Sequence, residues 1–109
     1  MLLPDAERAS VDRAKIADYL LSLSHPDGSS KAAFFMRFGF SAGEWEMLAA
    51  ALKEIGTSNP VTDRVESPHG TRYTVDGSLR SPDGRTPRVR TVWIVEQGNP
   101  PRLITAYPL

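Results

Sequence analysis

The chain contains no cysteine. That excludes a disulfide framework, a thiolate zinc site and a cysteine nucleophile, and it fits a reducing, cytoplasmic setting. No apolar run approaches the roughly 20 residues that cross a bilayer, and the first residues lack a charged-then-apolar signal pattern, so no membrane partner is expected. Histidine is scarce, with only two in the chain, and neither sits at metal-ligand spacing. The carboxylates are scattered rather than clustered, so no metal is expected. No Gly-x-Gly-x-x-Gly, no Gly-Lys-Ser/Thr loop and no nucleophile-elbow serine occur. Neither a nucleotide cofactor nor any other cofactor is therefore expected.

What the chain does have is a strand at its organisational centre. Residues 88–96 read Arg-Val-Arg-Thr-Val-Trp-Ile-Val-Glu, rich in β-branched side chains and apolar at both parities. This pattern predicts a strand covered on both faces. Turn residues bracket it: Ser81, Pro82, Asp83 and Gly84 before, and Gln97, Gly98, Asn99, Pro100 and Pro101 after. Further strands are expected at 61–66, 71–80 and 102–107, the last with Leu103, Thr105 and Tyr107 on one side and Ile104 and Ala106 on the other.

Helical periodicity is confined to the first half. Ile16, Tyr19, Leu20 and Leu23 recur at i, i+3, i+4, i+7, predicting a helix over about 12–22 with Asp12 as its N-cap. Leu2, Leu3 and Pro4 read as an extended arm before it. A second helix is expected at 31–38, after a loop of Ser24, His25, Pro26, Asp27 and Gly28, with Ser29 or Ser30 as its cap and Gly39 as its left-handed stop. Ser41, Ala42, Gly43 and Glu44 form a capping-box sequence, and Trp45, Leu48, Ala49, Leu52 and Ile55 make the apolar stripe of a third helix ending at Gly56. The 109 residues thus predict one α+β domain. A helical half (1–56) would carry three helices, packed on a C-terminal antiparallel meander of three to four strands (61–107).

Net charge is zero, but it is unevenly distributed. Up to residue 63 there are six cations and nine carboxylates; beyond it stand seven arginines, no lysine and four carboxylates. Arginine presents a planar fork suited to phosphate and carboxylate, so the sheet half is a candidate surface for an anionic ligand. The plainer alternative is a solvated face whose arginine stems cover apolar surface.

Both histidines fall in predicted loops. His25 lies just before the second helix, where free amides, the helix dipole and Lys31 would meet a bound anion; a loop imidazole bonded only to backbone is the competing assignment. His69, between Pro68 and Gly70, needs no chemistry to exist. Arg88, Arg90, Thr91, Thr105 and Tyr107 fall on neighbouring strands, either as a charge-stabilising cluster or as ordinary cross-strand pairs.

Two sets of residues resemble a known bacterial family. In the first half they are Asp18 to Leu21, His25 to Phe35, Gly39, Phe40 and Trp45. In the second they are Gly70 to Val75, Gly84, Arg85, Val89 to Ile94 and Thr105 to Pro108. Together they resemble the domain of unknown function 6883 family, which is similar to the nuclease group of barnase, EndoU, colicin D and RelE. The resemblance implies helices preceding a meander sheet and a metal-independent ribonuclease toxin. It also implies an RNA substrate and a small cognate antitoxin or immunity protein. On this likeness His25 is base or acid, Lys31 and Arg90 hold the phosphate, and Thr105 and Tyr107 line the site. Arg72, Arg85 and Arg88 would contact the RNA backbone. His69 matches no motif position. The alternative is a non-catalytic module that binds protein or RNA through its arginine-rich sheet.

Overall fold

In the computed structural model, which describes residues 1–109, the β-branched run at 88–96 occupies the sheet interior. It forms β3, Arg88–Val95, paired antiparallel on one side with β2, Gly70–Ser78, and on the other with β4, Arg102–Pro108. β1, Val61–Ser67, completes a four-stranded sheet in the order β1-β2-β3-β4 by pairing with β2. Gly70, at the start of β2, and Gly84 and Gly98, in connections between strands, have φ of 135°, 88° and 79°, conformations that other residues adopt only under strain.

The helices precede the sheet. The first, α1, begins as an α-helical turn at Arg13–Lys15 and continues as a π-helical segment at Ile16–Leu20. The wider turn closes through Leu21 N–H to the Ile16 carbonyl at 2.8 Å. α2 is Ser29–Arg37 and α3 is Trp45–Ser58. α3 lies on β2 and β3, whereas α1 and α2 pack toward β4. Leu48, Leu52 and Ile55 of α3 are buried. Each contributes about 1.5–3 kcal/mol by leaving water.

Trp93 is the largest side chain fully enclosed in this core. Its indole N–H donates to Thr91 Oγ1 at 2.8 Å, and the Thr91 hydroxyl donates to the Val75 carbonyl at 2.7 Å. A buried indole with no acceptor would cost about 1–3 kcal/mol, so Thr91 is what permits tryptophan here. Gly56 is the steric counterpart. A Cβ at that position would stand 2.5 Å from the Trp93 ring. Gly56 is therefore a packing residue within α3 and not the helix stop expected from the sequence; the helix continues to Ser58, and the Asn59 side chain donates from Nδ2 to the Ile55 carbonyl at 3.0 Å.

Other expectations change for identifiable reasons. The helices cover one face of the sheet, and no second layer of secondary structure supplies the cover that the pattern of β3 predicted for its other face. Val92, on the opposite face, is 8% exposed, although no helix lies over it. The expected parity of the last strand fails because a bulge interrupts the register: Val92 pairs with Thr105 but Trp93 with Leu103, leaving Ile104 as the extra residue. Leu103 and Ala106 consequently enter the core, while Thr105 and Tyr107 sit opposite Val92 and Arg90 on the open face. The capping box does not form. Ser41 makes no side-chain cap, because a 3-10 turn at Ala42–Glu44 intervenes and α3 starts only at Trp45. Leu23 lies beyond the end of α1 and is 61% exposed. Leu3, expected in an extended arm, is buried in the core, and the Val61 amide donates to the Met1 carbonyl at 2.7 Å.

Gly56→Ala is expected to destabilise the fold by about 1–3 kcal/mol, since the ring beneath has no room to retreat. Gly43→Ala, whose added methyl meets nothing within 4 Å, is expected to be neutral or stabilising by up to about 1 kcal/mol. Urea denaturation of the two variants beside the parent checks both signs.

Candidate functional site

The end of α1, the loop before α2 and the middle of β4 converge on one tyrosine. Tyr19 is carried on the π-helical segment of α1, and its hydroxyl bonds Thr105 Oγ1 of β4 at 3.0 Å. Lys31, in the first turns of α2, donates from Nζ to the same phenolic oxygen at 2.9 Å and to the Asp27 carbonyl at 3.1 Å. The ammonium groups of Lys15 and Lys31 lie 5.2 and 5.1 Å from the centre of the Tyr19 ring. The His25 ring meets it edge-on, with centroids 5.0 Å apart. Burial pushes the Tyr19 phenol up. The hydrogen bonds of Lys31 and Thr105 and the charges of Lys31 and Lys15 together outweigh that effect and hold its pKa below the ordinary tyrosine value.

The loop geometry explains the His-Pro-Asp-Gly sequence. His25 Nδ1 accepts from the backbone amides of Asp27 and Gly28 at 3.0 and 3.1 Å, and the His25 carbonyl accepts from Gly28 and Ser29. His25 itself thus satisfies amides at the start of α2, where the sequence suggested Ser29 or Ser30 as cap and free amides for an anion. With Nδ1 occupied as an acceptor, the ring proton is assigned to Nε2, and the imidazole presents a donor. Gly28 is required by close approach: any Cβ there would collide with the Tyr19 carbonyl oxygen.

Two clefts meet at this point. One, of about 670 Å³, is lined by Tyr19, His25, Lys15, Arg102, Ile104 and Thr105 together with Asp12, Asp18 and Asp27. The other, of about 380 Å³, spreads over the open sheet face and is lined by Arg72, Arg90, Val92, Tyr107, Ile104 and Thr105 among others. Ile104 and Thr105 belong to both, so the bulged segment of β4 is their common wall. Lys31 lines neither cleft and reaches the Tyr19 hydroxyl from α2.

The remaining residues singled out in the sequence are distributed unevenly. Arg90 is committed to Asp76 through two hydrogen bonds of 2.8 and 3.0 Å. The Asp76 hydrogen bonds and charge, with a hydrogen bond to Tyr107, raise its pKa above the usual arginine value. Thr91 faces the core. Arg85 lies outside both clefts, pairing with Asp83, donating to the Arg37 carbonyl at 2.7 Å and stacking on Phe38 at 4.3 Å. It fastens the β2–β3 connection to the end of α2. Of the seven arginines in the sheet half, Arg64, Arg80, Arg85, Arg90 and Arg102 are each paired with a carboxylate, leaving Arg72 and Arg88 without one. His69 lines a separate cleft of about 650 Å³ beside Glu66, Glu96 and Gln97, sharing no residue with the Tyr19 cleft. The two histidines are not brought together. No group of three or more potential metal ligands occurs, and no helix is long and apolar enough to cross a membrane.

Tyr19 is the residue the sequence did not single out for chemistry. Its i, i+3 spacing assigned it to an apolar stripe, and nothing local indicates that its hydroxyl meets residues 12 and 86 positions away.

With this geometry in view, the chain belongs to the family described as domain of unknown function DUF6883, which matches residues 2–109. No curated protein matches it significantly. Among solved structures, it is similar to a chain of a contact-dependent growth inhibition toxin–immunity protein complex from Klebsiella pneumoniae 342. The TM-score is 0.75 and the identity 18%, covering 95% of this chain and 96% of that one. At that identity the likeness establishes a common fold.

The depressed Tyr19 pKa makes a signed prediction. Its contribution to stability is fully present above the unfolded tyrosine value and is lost as pH falls through the folded one. Ultraviolet titration is expected to find one of the three tyrosines ionising early, to lose that transition in Tyr19→Phe, and to find it displaced upward in Lys31→Gln. Gly28→Ala is expected to cost about 1–3 kcal/mol in thermal or urea denaturation, because the His25 loop must move away from α1.

Proposed function

We propose that this protein is a metal-independent ribonuclease of the toxin type, acting on RNA in the cytoplasm and held in check by a small cognate antitoxin or immunity protein. The observation that carries this reading is the continuity of the cleft containing Tyr19, His25 and Thr105 with the arginine-bearing sheet face, across the bulge at Ile104 and Thr105. Family membership and the fold shared with a chain of a toxin–immunity protein complex support it.

In this chemistry the ribose 2′-oxygen attacks the adjacent phosphorus and the 5′-oxygen departs, leaving a 2′,3′-cyclic phosphate. Charge builds on the phosphate oxygens, and donors already in position lower that barrier. His25 supplies its Nε2–H to a phosphate oxygen; with Nδ1 held by two amides it is a donor rather than the proton acceptor. Thr105 is a second hydroxyl donor on the shared wall. Arg72 and Arg88, the arginines free of carboxylates, guide the RNA backbone over the sheet. Arg90 and Tyr107 lie along the same path, with Arg90 donating from the N–H groups that Asp76 does not use.

A second reading is favoured by one observation: five of the seven arginines are already neutralised by carboxylates. With so few free cations the face holds a polyanion weakly, and a non-catalytic module would instead offer its two unpaired arginines to a few carboxylates of a protein partner.

Purified protein incubated with total RNA in chelator is expected to yield fragments ending in cyclic phosphate and beginning with 5′-hydroxyl. Expression without its partner is expected to arrest growth, and His25→Ala to relieve the arrest. Intact RNA together with normal growth of cells holding soluble protein would refute the nuclease. If the Arg72→Glu, Arg88→Glu double variant then lost a protein partner, the binding module would stand.

A further inference from the structure

The reaction needs a group that accepts the 2′-hydroxyl proton, and on this chain neither histidine is arranged to do so. His25 Nδ1 is occupied by two backbone amides, and His69 stands in a different cleft. We infer that Tyr19 is the catalytic base of this site, its phenolate being held in place by Lys31 and directed by Thr105. The inference rests on the ribonuclease reading and names the residue at its centre.

Geometry carries it. The Tyr19 side chain lines the cleft together with His25 and Thr105, while Lys31, which reaches the phenolic oxygen from α2, is not among the lining residues. Lys31 Nζ spends two of its three N–H bonds on the Tyr19 oxygen and the Asp27 carbonyl. That arrangement makes Lys31 a positioning residue for Tyr19 and not a direct phosphate ligand. An ammonium 2.9 Å from a phenol oxygen favours the phenolate, and the depressed pKa of Tyr19 follows from it. Thr105 fixes the oxygen laterally at the wall shared by the two clefts.

The charges that face Tyr19 come from several elements. Lys15 and Lys31 lie near the ring from α1 and α2, His25 meets its edge, and Arg102 of β4 lines the same cleft. Asp12, Asp18 and Asp27 line it too and oppose the phenolate, so the lysines set the balance.

The step balances without a further reactant. The phenolate takes the proton as the 2′-oxygen forms its bond to phosphorus. The bond from phosphorus to the 5′-oxygen breaks, and the departing alkoxide takes a proton from water. Tyr19 then returns its proton to solvent.

The test is the pH dependence of RNA cleavage by the full chain in chelator. Tyr19→Phe is expected to slow cleavage by about 10²–10⁴-fold with RNA affinity within about twofold of the parent. Because Tyr19→Phe also removes two tertiary hydrogen bonds, 3,5-difluorotyrosine at position 19 serves as a nearly isosteric variant with a more acidic phenol. The acid limb of its rate profile is expected to move to lower pH; Lys31→Gln is expected to move the limb to higher pH, and Lys31→Arg to bring it back. Full-rate cleavage by Tyr19→Phe, or a limb unmoved by the fluorinated residue, would overturn the assignment while leaving the ribonuclease reading intact. If the parent itself cuts no RNA, both fall.

Discussion

Burial of the Trp93 indole is the constraint on which the rest of the structure depends. A side chain of that size is enclosed only if a helix approaches with no side chain at the point of contact, which Gly56 allows. Its single polar atom must also find an acceptor, which Thr91 supplies two residues away on the same face of β3. These requirements fix α3 against the centre of the sheet and make the Trp93 face the inner one. The opposite face, bearing Arg72, Arg90, Val92 and Tyr107, is left without a helix over it. Which face of the sheet stays open follows from which face the tryptophan occupies.

At the β4 edge a second constraint operates. A straight β4 would have sent Thr105 to the same side as Leu103. The bulge at Ile104 reverses that relation and turns Thr105 and Tyr107 outward. A second departure from regular geometry, the π-helical segment of α1, carries Tyr19 to meet Thr105. Extra residues in strands and widened helical turns recur where a side chain must be aimed at a site. Here both irregularities lie at one hydrogen bond.

The electrostatics are more economical than the arginine count suggests. Most of the sheet-half cations are consumed in local ion pairs, largely exposed ones of small energetic value. Arg85 instead works mechanically, clasping a turn to the end of α2. Two cations beside the clefts are held by titratable oxygens, Lys31 by the Tyr19 phenol and Arg90 by the Asp76 carboxylate. Three aspartates share the Tyr19 cleft, which disfavours indiscriminate capture of polyanions and leaves recognition to shape and to specific donors.

How much of this was legible in the sequence follows from the range over which each feature is determined. Strand and helix identity, the meander order and the stop at Gly39 arise from side-chain periodicity and backbone preference over a few residues, and the sequence by itself determined them. The importance of the His25 loop was also visible, because a Pro and a Gly two residues apart around an Asp mark a tight structure whatever it binds. The role of Gly56, the bulge at Ile104, the failure of the Ser41 and Glu44 box and the pairing of each arginine were decided only in the tertiary structure. So was the hydroxyl of Tyr19, whose partners come from α2 and β4. Periodicity reports which side of a helix avoids water, and Tyr19 obeys it with its ring. What its oxygen meets depends on where distant segments pack, and no local preference encodes that.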